Sequence, residues 1–189
     1  MAQADAETYA QRKILSHPKG FASAPVEGAV FCVLSLEIPM IENLSIRPFV
    51  ASTDTSHLSD IWFRASMIAH DFIGEQTLRE QKPMMEGVYL PMATTVVACL
   101  DDRPVGFASL LDDHIAALFV DPDYQGKGIG KALLRHIETG RDALSLEVYL
   151  ANEAAIGFYR AMGFKVVSQR ETDDQGLPHP NAKMLWNRA

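Results

Sequence analysis

The spacing of apolar side chains changes period several times along the chain, and each change marks a predicted element. Apolar and polar residues alternate around 46–50, starting from Ser45-Ile46-Arg47, which predicts an edge strand ended by Pro48. Leu58, Ile61, Trp62, Ala65, Met67 and Ile68 then recur at helical spacing behind Asp54 or Thr55 as a cap, predicting a helix that runs to His70 and Asp71. A more polar helix is predicted over 74–86, with Leu78 and Met85 on its buried face. From Thr94 the period shortens. The runs TTVVACL and VGFASLL, joined by Asp101-Asp102-Arg103-Pro104, read as an antiparallel hairpin, and HIAALFV supplies a third strand. After a glycine-rich turn come a helix to about 138, a strand over 143–150, a helix over 152–162, and strands near 164–171 and 182–187. This order predicts an α/β fold with a mixed, mostly antiparallel sheet flanked by helices.

The first 43 residues fit none of these periods. Residues 1–20 are polar, and glycines and prolines interrupt the apolar positions that follow, so 1–43 is expected to be a flexible extension and 44–189 a single domain. Ala29–Leu36 is far shorter than the ~18–20 residues of a membrane span, and its weakly charged approach makes a poor signal peptide. At 189 residues and 48% hydrophobic, the chain can bury a sizeable core without staples. Lys plus Arg number 17 against 24 Asp plus Glu, and the net charge of −7 argues against binding to nucleic acid or an anionic membrane. Cys32 and Cys99 make no disulfide framework, so reducing cytoplasm is the expected setting. Asp112, Asp113 and His114 are adjacent but have no further spaced ligand, and no metal site is expected.

Chemistry concentrates at two places. In the first, Leu118-Phe119-Val120 leads through Asp121-Pro122-Asp123-Tyr124 into Gln125-Gly126-Lys127-Gly128-Ile129-Gly130-Lys131, followed by the apolar stripe Leu133, Leu134 and Ile137. Three glycines at the head of a helix expose backbone N–H groups to an anion without a clash from Cβ. A mononucleotide loop is a poor match, since Gln125 stands where the first glycine belongs and Ala132 follows Lys131 where a hydroxyl is needed. A dinucleotide fingerprint is equally poor, because Gly130 arrives one residue early and antiparallel strands precede the turn. In the second place, Asn152 begins and Gly163 ends a helix on which positions 152, 155, 156 and 159 share a face. Asn152 and the Tyr159 hydroxyl are expected on one groove, and Ala154, Phe158 and Met162 on another apolar surface.

Together these segments resemble the GCN5-related N-acetyltransferase (GNAT) superfamily. Gln125, Gly128 and Gly130 match its acyl-CoA pyrophosphate loop, and Asn152, Ala155, Phe158, Tyr159, Gly163 and Phe164 match its N-x-x-A-x-x-F-Y-x-x-x-G-F helix. The likeness extends in element order over most of 46–189 and is similar to small bacterial acetyltransferases of the YjaB type. Their HDF, DALF or EALF, and G-x-P-x-P segments have counterparts in His70-Asp71-Phe72, Ala116-Ala117-Leu118-Phe119 and Gly176-Leu177-Pro178-His179-Pro180. Ala116 departs from the usual acidic residue. The resemblance implies that the strand before the loop splays from its parallel neighbour, so that main-chain groups around Leu118, Phe119 and Val120 bond the pantetheine arm of acetyl-CoA. It further implies that Gly126, Lys127, Gly128, Ile129, Gly130 and Lys131 hold the diphosphate, with Asn152 beside the arm and Tyr159 beside the sulfur.

Acyl transfer to an amine requires a neutral amine, an aligned carbonyl and a proton for the departing thiolate. Tyr159, with a reference pKa of about 10, is suited to protonate a thiolate whose free thiol has a pKa near 8.5. For the amine proton the candidates are His70, at the end of the first helix, and Glu147, on the strand opposite the cleft. Direct attack in a ternary complex is preferred to a cysteine relay, since Cys99 lies in the earlier hairpin and Cys32 in the extension. Asp71, Glu75, Glu86, Asp112 and Asp113 would favour a cationic acceptor if several reach the cleft, and His179 lies on a turn expected over the acceptor side. The expected activity is transfer of an acetyl group from acetyl-CoA to a primary amine of a small molecule, peptide or protein, by a monomer or homodimer. The alternative is a noncatalytic acyl-CoA-binding module.

Overall fold

A computed structural model describes residues 41–173 and 176–188. Residues 1–40 of the expected extension lie outside that range. Among the described residues there are seven strands: β1 (Leu44–Pro48), β2 (Thr94–Leu100), β3 (Arg103–Leu111), β4 (His114–Val120), β5 (Ala143–Tyr149), β6 (Lys165–Arg170) and β7 (Asn181–Asn187). They form one sheet in the order β1-β2-β3-β4-β5-β7-β6. The main helices are α1 (Ala51–Ala69), α2 (Glu75–Met84), α3 (Ile129–Glu138) and α4 (Glu153–Ala161). This is the mixed α/β fold that the hydrophobic periods predict. Among the described residues no helix is long and apolar enough to cross a membrane.

Strand alternation sends side chains to both faces of the sheet, and each face has its own helical cover. On one face α1 contributes Leu58 and Ile61, which pack with Met85, Leu90, Val97, Cys99 and Phe107. On the other, Leu133, Leu134 and Ile137 of α3 and Ile156 and Tyr159 of α4 join Leu144, Leu146, Val148 and Met184. Leu133 and Leu134 are fully buried, worth about 2 kcal/mol each in apolar area removed from water.

Two element boundaries differ from the sequence expectation. Helix α1 begins at Ala51, ahead of both cap candidates, and Asp54 works from inside its first turn. The buried Asp54 carboxylate accepts from Val50 N–H at 2.8 Å and from the Arg47 guanidinium at 2.7 and 2.9 Å, so one side chain closes the helix start and ties it to β1. Arg47 holds the carboxyl below its ordinary range. The helix expected to stop at 86 instead widens into a π turn, Met85–Tyr89, and ends in a last helical turn, Leu90–Met92. Pro83 lacks the N–H that an α-helix interior requires, and the wider turn that follows brings both Met85 and Leu90 into the core.

The feature that positions the site is a break in the middle of the sheet. β4 and β5 are parallel neighbours, but they pair only at His114↔Ser145 and Ile115↔Leu146. At that point the β3–β4 register jumps from Leu110↔Ile115 to Ser109↔Ala117, leaving Ala116 as an extra residue. A bulge bends its strand and raises the local twist, so β4 continues along β3 while parting from β5. Gly106 keeps β3 and β4 close beyond the bulge, since a Cβ there would stand 2.9 Å from the Phe119 carbonyl oxygen.

Candidate active site

The break opens into a cleft of about 1280 Å³. One wall is backbone. Asp121 N–H donates to Val105 O at 2.9 Å, so the alternation of an antiparallel ladder turns the main-chain groups of Leu118 and Val120 toward the gap. Their side chains pack with the α3 and α4 core, whereas Phe119 faces α1 and stacks on Phe107 with centroids 5.7 Å apart. The Val120 carbonyl is already engaged, accepting from Gln125 Nε2 at 3.1 Å, and Gln125 thereby fastens the following loop to its strand.

The loop ends in a helix head with no side-chain cap. Gly128 takes a left-handed φ of +86° as the N-cap of α3. The first helical bond shown is Ala132 N–H to Gly128 O at 3.0 Å, which leaves the amides of the preceding turn directed outward from the helix head. Beside Gly126 there is nothing within 4 Å of where a Cβ would be. That open cradle with outward N–H groups fits the diphosphate of acetyl-CoA. Gly126, Gly128, Ile129, Gly130 and Lys131 all line the cleft, but Lys127 does not. Its Nζ donates to Asp123 O at 3.2 Å and lies 4.7 Å from the Tyr124 ring centroid, so its charge is spent on the preceding turn.

Helix α4 forms the floor. Asn152 caps it by accepting from Ala155 N–H at 3.0 Å, as its sequence position suggests. Two turns on, Tyr159 is only 8% exposed and lies among Phe158 and Phe164, with centroids at 5.2 and 5.5 Å. Both Asn152 and Tyr159 line the cleft. Burial raises the phenol above its ordinary range, so it stays protonated at neutral pH. Phe158 and Met162 pack into the same core as Tyr159, and with the exposed Ala154 they line the same cleft as Asn152 and Tyr159 instead of a separate surface.

The opposite, α1-facing side carries a cluster of rings. His70 lies 5.2 Å from Tyr149, 6.0 Å from Phe72 and 6.4 Å from Phe119, thereby spanning the gap between β4 and β5. His179 completes the cluster at 5.1 Å from Phe72 and 6.1 Å from Tyr149. Burial pushes the His70 imidazole down to about 4, so it is neutral at pH 7. On the same strand face as Tyr149, Glu147 accepts from Arg170 Nη2 at 2.7 Å, and Arg170 Nε donates to Asn181 Oδ1 at 2.8 Å. Of the five acidic residues considered for a cationic acceptor, only Asp71 lines the cleft. Glu75 pairs with Arg79, Glu86 accepts from Ser59, and Asp113 pairs with Arg141. Sequence reasoning missed Tyr149 and Arg170. Two-residue alternation along β5 places Tyr149 on the face of Glu147 and was the available signal for it, whereas nothing local pairs Glu147 with Arg170.

Comparison with known proteins agrees with this geometry. Residues 91–166 match a family described as acetyltransferase (GNAT) domain. The chain is 41% identical over 127 residues to peptidyl-lysine N-acetyltransferase YjaB of Salmonella typhimurium, covering 67% of this chain and 87% of that protein. It is 35% identical over 120 residues to peptidyl-lysine N-acetyltransferase YiaC of Escherichia coli, covering 63% and 82% respectively. The solution structure of apo-form YjaB from Escherichia coli matches with a TM-score of 0.69 and 36% identity, over 77% of this chain and 99% of that one. The chain belongs to the GNAT family and is an acetyltransferase of that fold.

Proposed function

We propose that this chain transfers the acetyl group of acetyl-CoA to a primary amine by direct attack in a ternary complex, the amine being that of a lysine side chain in a peptide or protein. The observation that carries the reading is the cleft itself. It joins an anion cradle, Gly126–Lys131, and a buried phenol, Tyr159, to a separately lined chamber between α1 and β5, so donor and acceptor have distinct places on either side of one gap. Peptidyl-lysine is the acceptor named for the relatives YjaB and YiaC.

In this reading the main chain of Leu118 and Val120 aligns the donor arm, and the amides at the head of α3 hold its diphosphate. The amine nitrogen forms a bond to the acetyl carbon, the carbon–sulfur bond breaks, and Tyr159 gives its proton to the departing sulfur. Glu147 receives the amine proton through water. Burial has pushed the conjugate acid of His70 down to about 4, so the neutral imidazole holds a proton poorly and serves as a wall of the acceptor chamber.

The test is incubation of the purified chain with acetyl-CoA and a panel of lysine peptides, polyamines and free amino acids, reading free thiol and the mass of the product. A 42 Da gain, about the mass of one acetyl group, on lysine peptides supports the proposal. Tight CoA binding with no acetylated product anywhere in the panel would replace it with a noncatalytic acyl-CoA-binding module.

A further inference from the structure

Arg64 lies on α1 and does not line the cleft, yet it makes three hydrogen bonds to the turn that feeds the anion cradle. Nη1 donates to both carboxylate oxygens of Asp121, at 3.0 and 2.9 Å, and Nη2 donates to Asp123 Oδ2 at 2.8 Å. The Asp121 side chain is 4% exposed and that of Asp123 is 70% exposed, so one arm of the guanidinium reaches an enclosed partner and the other a solvated one.

Asp121 is the hinge of the turn. Its N–H ends the β3–β4 ladder on Val105 O, its Oδ1 accepts from Asp123 N–H at 3.1 Å, and its carbonyl accepts from Tyr124 N–H at 2.8 Å. Beyond it, the Tyr124 ring takes the Arg103 guanidinium at 5.8 Å and Lys127 Nζ at 4.7 Å. The next residues are the cradle. A planar guanidinium with donors in a fixed fork can grip both oxygens of one carboxylate and still reach a second, which an ammonium cannot do with the same directionality.

We propose that Arg64 is a positioning residue for acetyl-CoA: by clamping Asp121 and Asp123 it fixes the Pro122–Tyr124 turn, and so the direction in which the Gly126–Lys131 amides point. The proposal rests on the acetyl-CoA reading of the cleft. It also makes α1, which carries His70 into the acceptor chamber, a brace for the donor side.

The test uses the full chain with Arg64→Gln, Arg64→Lys and Asp123→Asn. Asp123→Asn weakens only the solvated arm and so guards against misfolding. The readouts are CoA affinity by calorimetry, KM for each substrate, kcat, and backbone amide NMR of the ligand-free protein. Arg64→Gln is expected to weaken CoA binding and raise KM for acetyl-CoA about tenfold, with kcat and the acceptor KM within about twofold. Arg64→Lys should recover only part of the loss, and Asp123→Asn should lose less than Arg64→Gln. Amides of Gly126–Gly130 should shift and exchange faster in ligand-free Arg64→Gln, a result that does not depend on any activity. Unchanged loop amides in Arg64→Gln, or a loss confined to kcat and the acceptor KM, would overturn the proposal. Shifted amides with no CoA binding by the wild-type chain would overturn acetyl-CoA as the ligand and leave the loop clamp standing as a structural device.

Discussion

Tyr159→Phe separates the proposed chemistry from packing because it removes one oxygen and almost no volume. The ring keeps its neighbours Phe158 and Phe164, at 5.2 and 5.5 Å, and remains in a site only 8% exposed. Loss of a single hydroxyl from such a place changes stability by about 1 kcal/mol or less. The effect on turnover should be far larger. A departing thiolate with a conjugate acid near 8.5 needs a donor in place when the carbon–sulfur bond breaks, and positioned proton donors are worth about 10²–10⁴ in rate. A fall in kcat of about 10²- to 10³-fold, equivalent to about 3–4 kcal/mol of barrier, is therefore expected. KM for acetyl-CoA should move by less than about threefold, because the cradle and the Leu118–Val120 backbone, not the phenol, hold the donor. Initial rates of thiol release between pH 6 and 10, with melting curves of both proteins, read all three quantities. Burial raises the phenol's pKa in the folded state, so the wild-type proton stays in place through that range, and ionisation destabilises the fold only above the unfolded value of about 10. A variant that keeps wild-type kcat at every pH, or one that loses CoA affinity in step with rate, would refute the proton-donor role.

Three further outcomes follow from the geometry. Burial pushes His70 down to about 4, against about 6.5 in the unfolded chain, so its contribution is complete above about pH 6.5 and is lost as pH falls toward 4. His70→Phe should remove about 2–3 kcal/mol of the acid-side fall in stability, read as urea midpoints at pH 7 and 4.5. Gly128→Ala forces a side chain into a left-handed φ of +86°, where steric room is not limiting but the backbone is strained by about 1 kcal/mol. It should lower the melting temperature by a few degrees and weaken CoA binding more than acceptor binding, both measurable by thermal shift with and without ligand. Asp54→Ala strands a guanidinium that is 37% exposed and deletes the acceptor for Val50 N–H, so a loss of about 2–3 kcal/mol is expected in chemical denaturation. Neither Arg47 nor Asp54 lines the cleft, so its kcat should be unchanged at temperatures where it is folded.

The legible parts of this protein are those whose physical consequence is local. Clustered glycines before the α3 stripe imply exposed amides at a helix head wherever that helix packs, and Asn152 seven residues before Tyr159 puts both on one helical face in any tertiary setting. The departures arise where one side chain has two partners of equal chemical merit. Asp54 reads as a cap because a carboxylate near a helix start accepts backbone N–H bonds, and it does accept one, but Arg47 on the preceding strand turns the same group into an ion pair. Lys127 reads as a phosphate contact because it is a cation in an anion loop, yet the Tyr124 ring and the Asp123 carbonyl take it first. Arg64 is separated from Asp121 by 57 positions, and no period or spacing joins them. The bulge at Ala116 is hidden for another reason. In the run His114-Ile115-Ala116-Ala117-Leu118-Phe119-Val120, small apolar residues are tolerated on either face, so one extra residue leaves no mark in the alternation. That unmarked residue coincides with the end of β4–β5 pairing, and the end of pairing is what leaves the Leu118 and Val120 main chain facing the cleft instead of β5. Filling the bulge's role with ordinary register would extend the parallel ladder past Ile115 and close the gap. Cleft residues such as Gly128, Gly130, Asn152 and Tyr159 could thus be named from their order, while the cleft itself follows from a register shift that composition does not record.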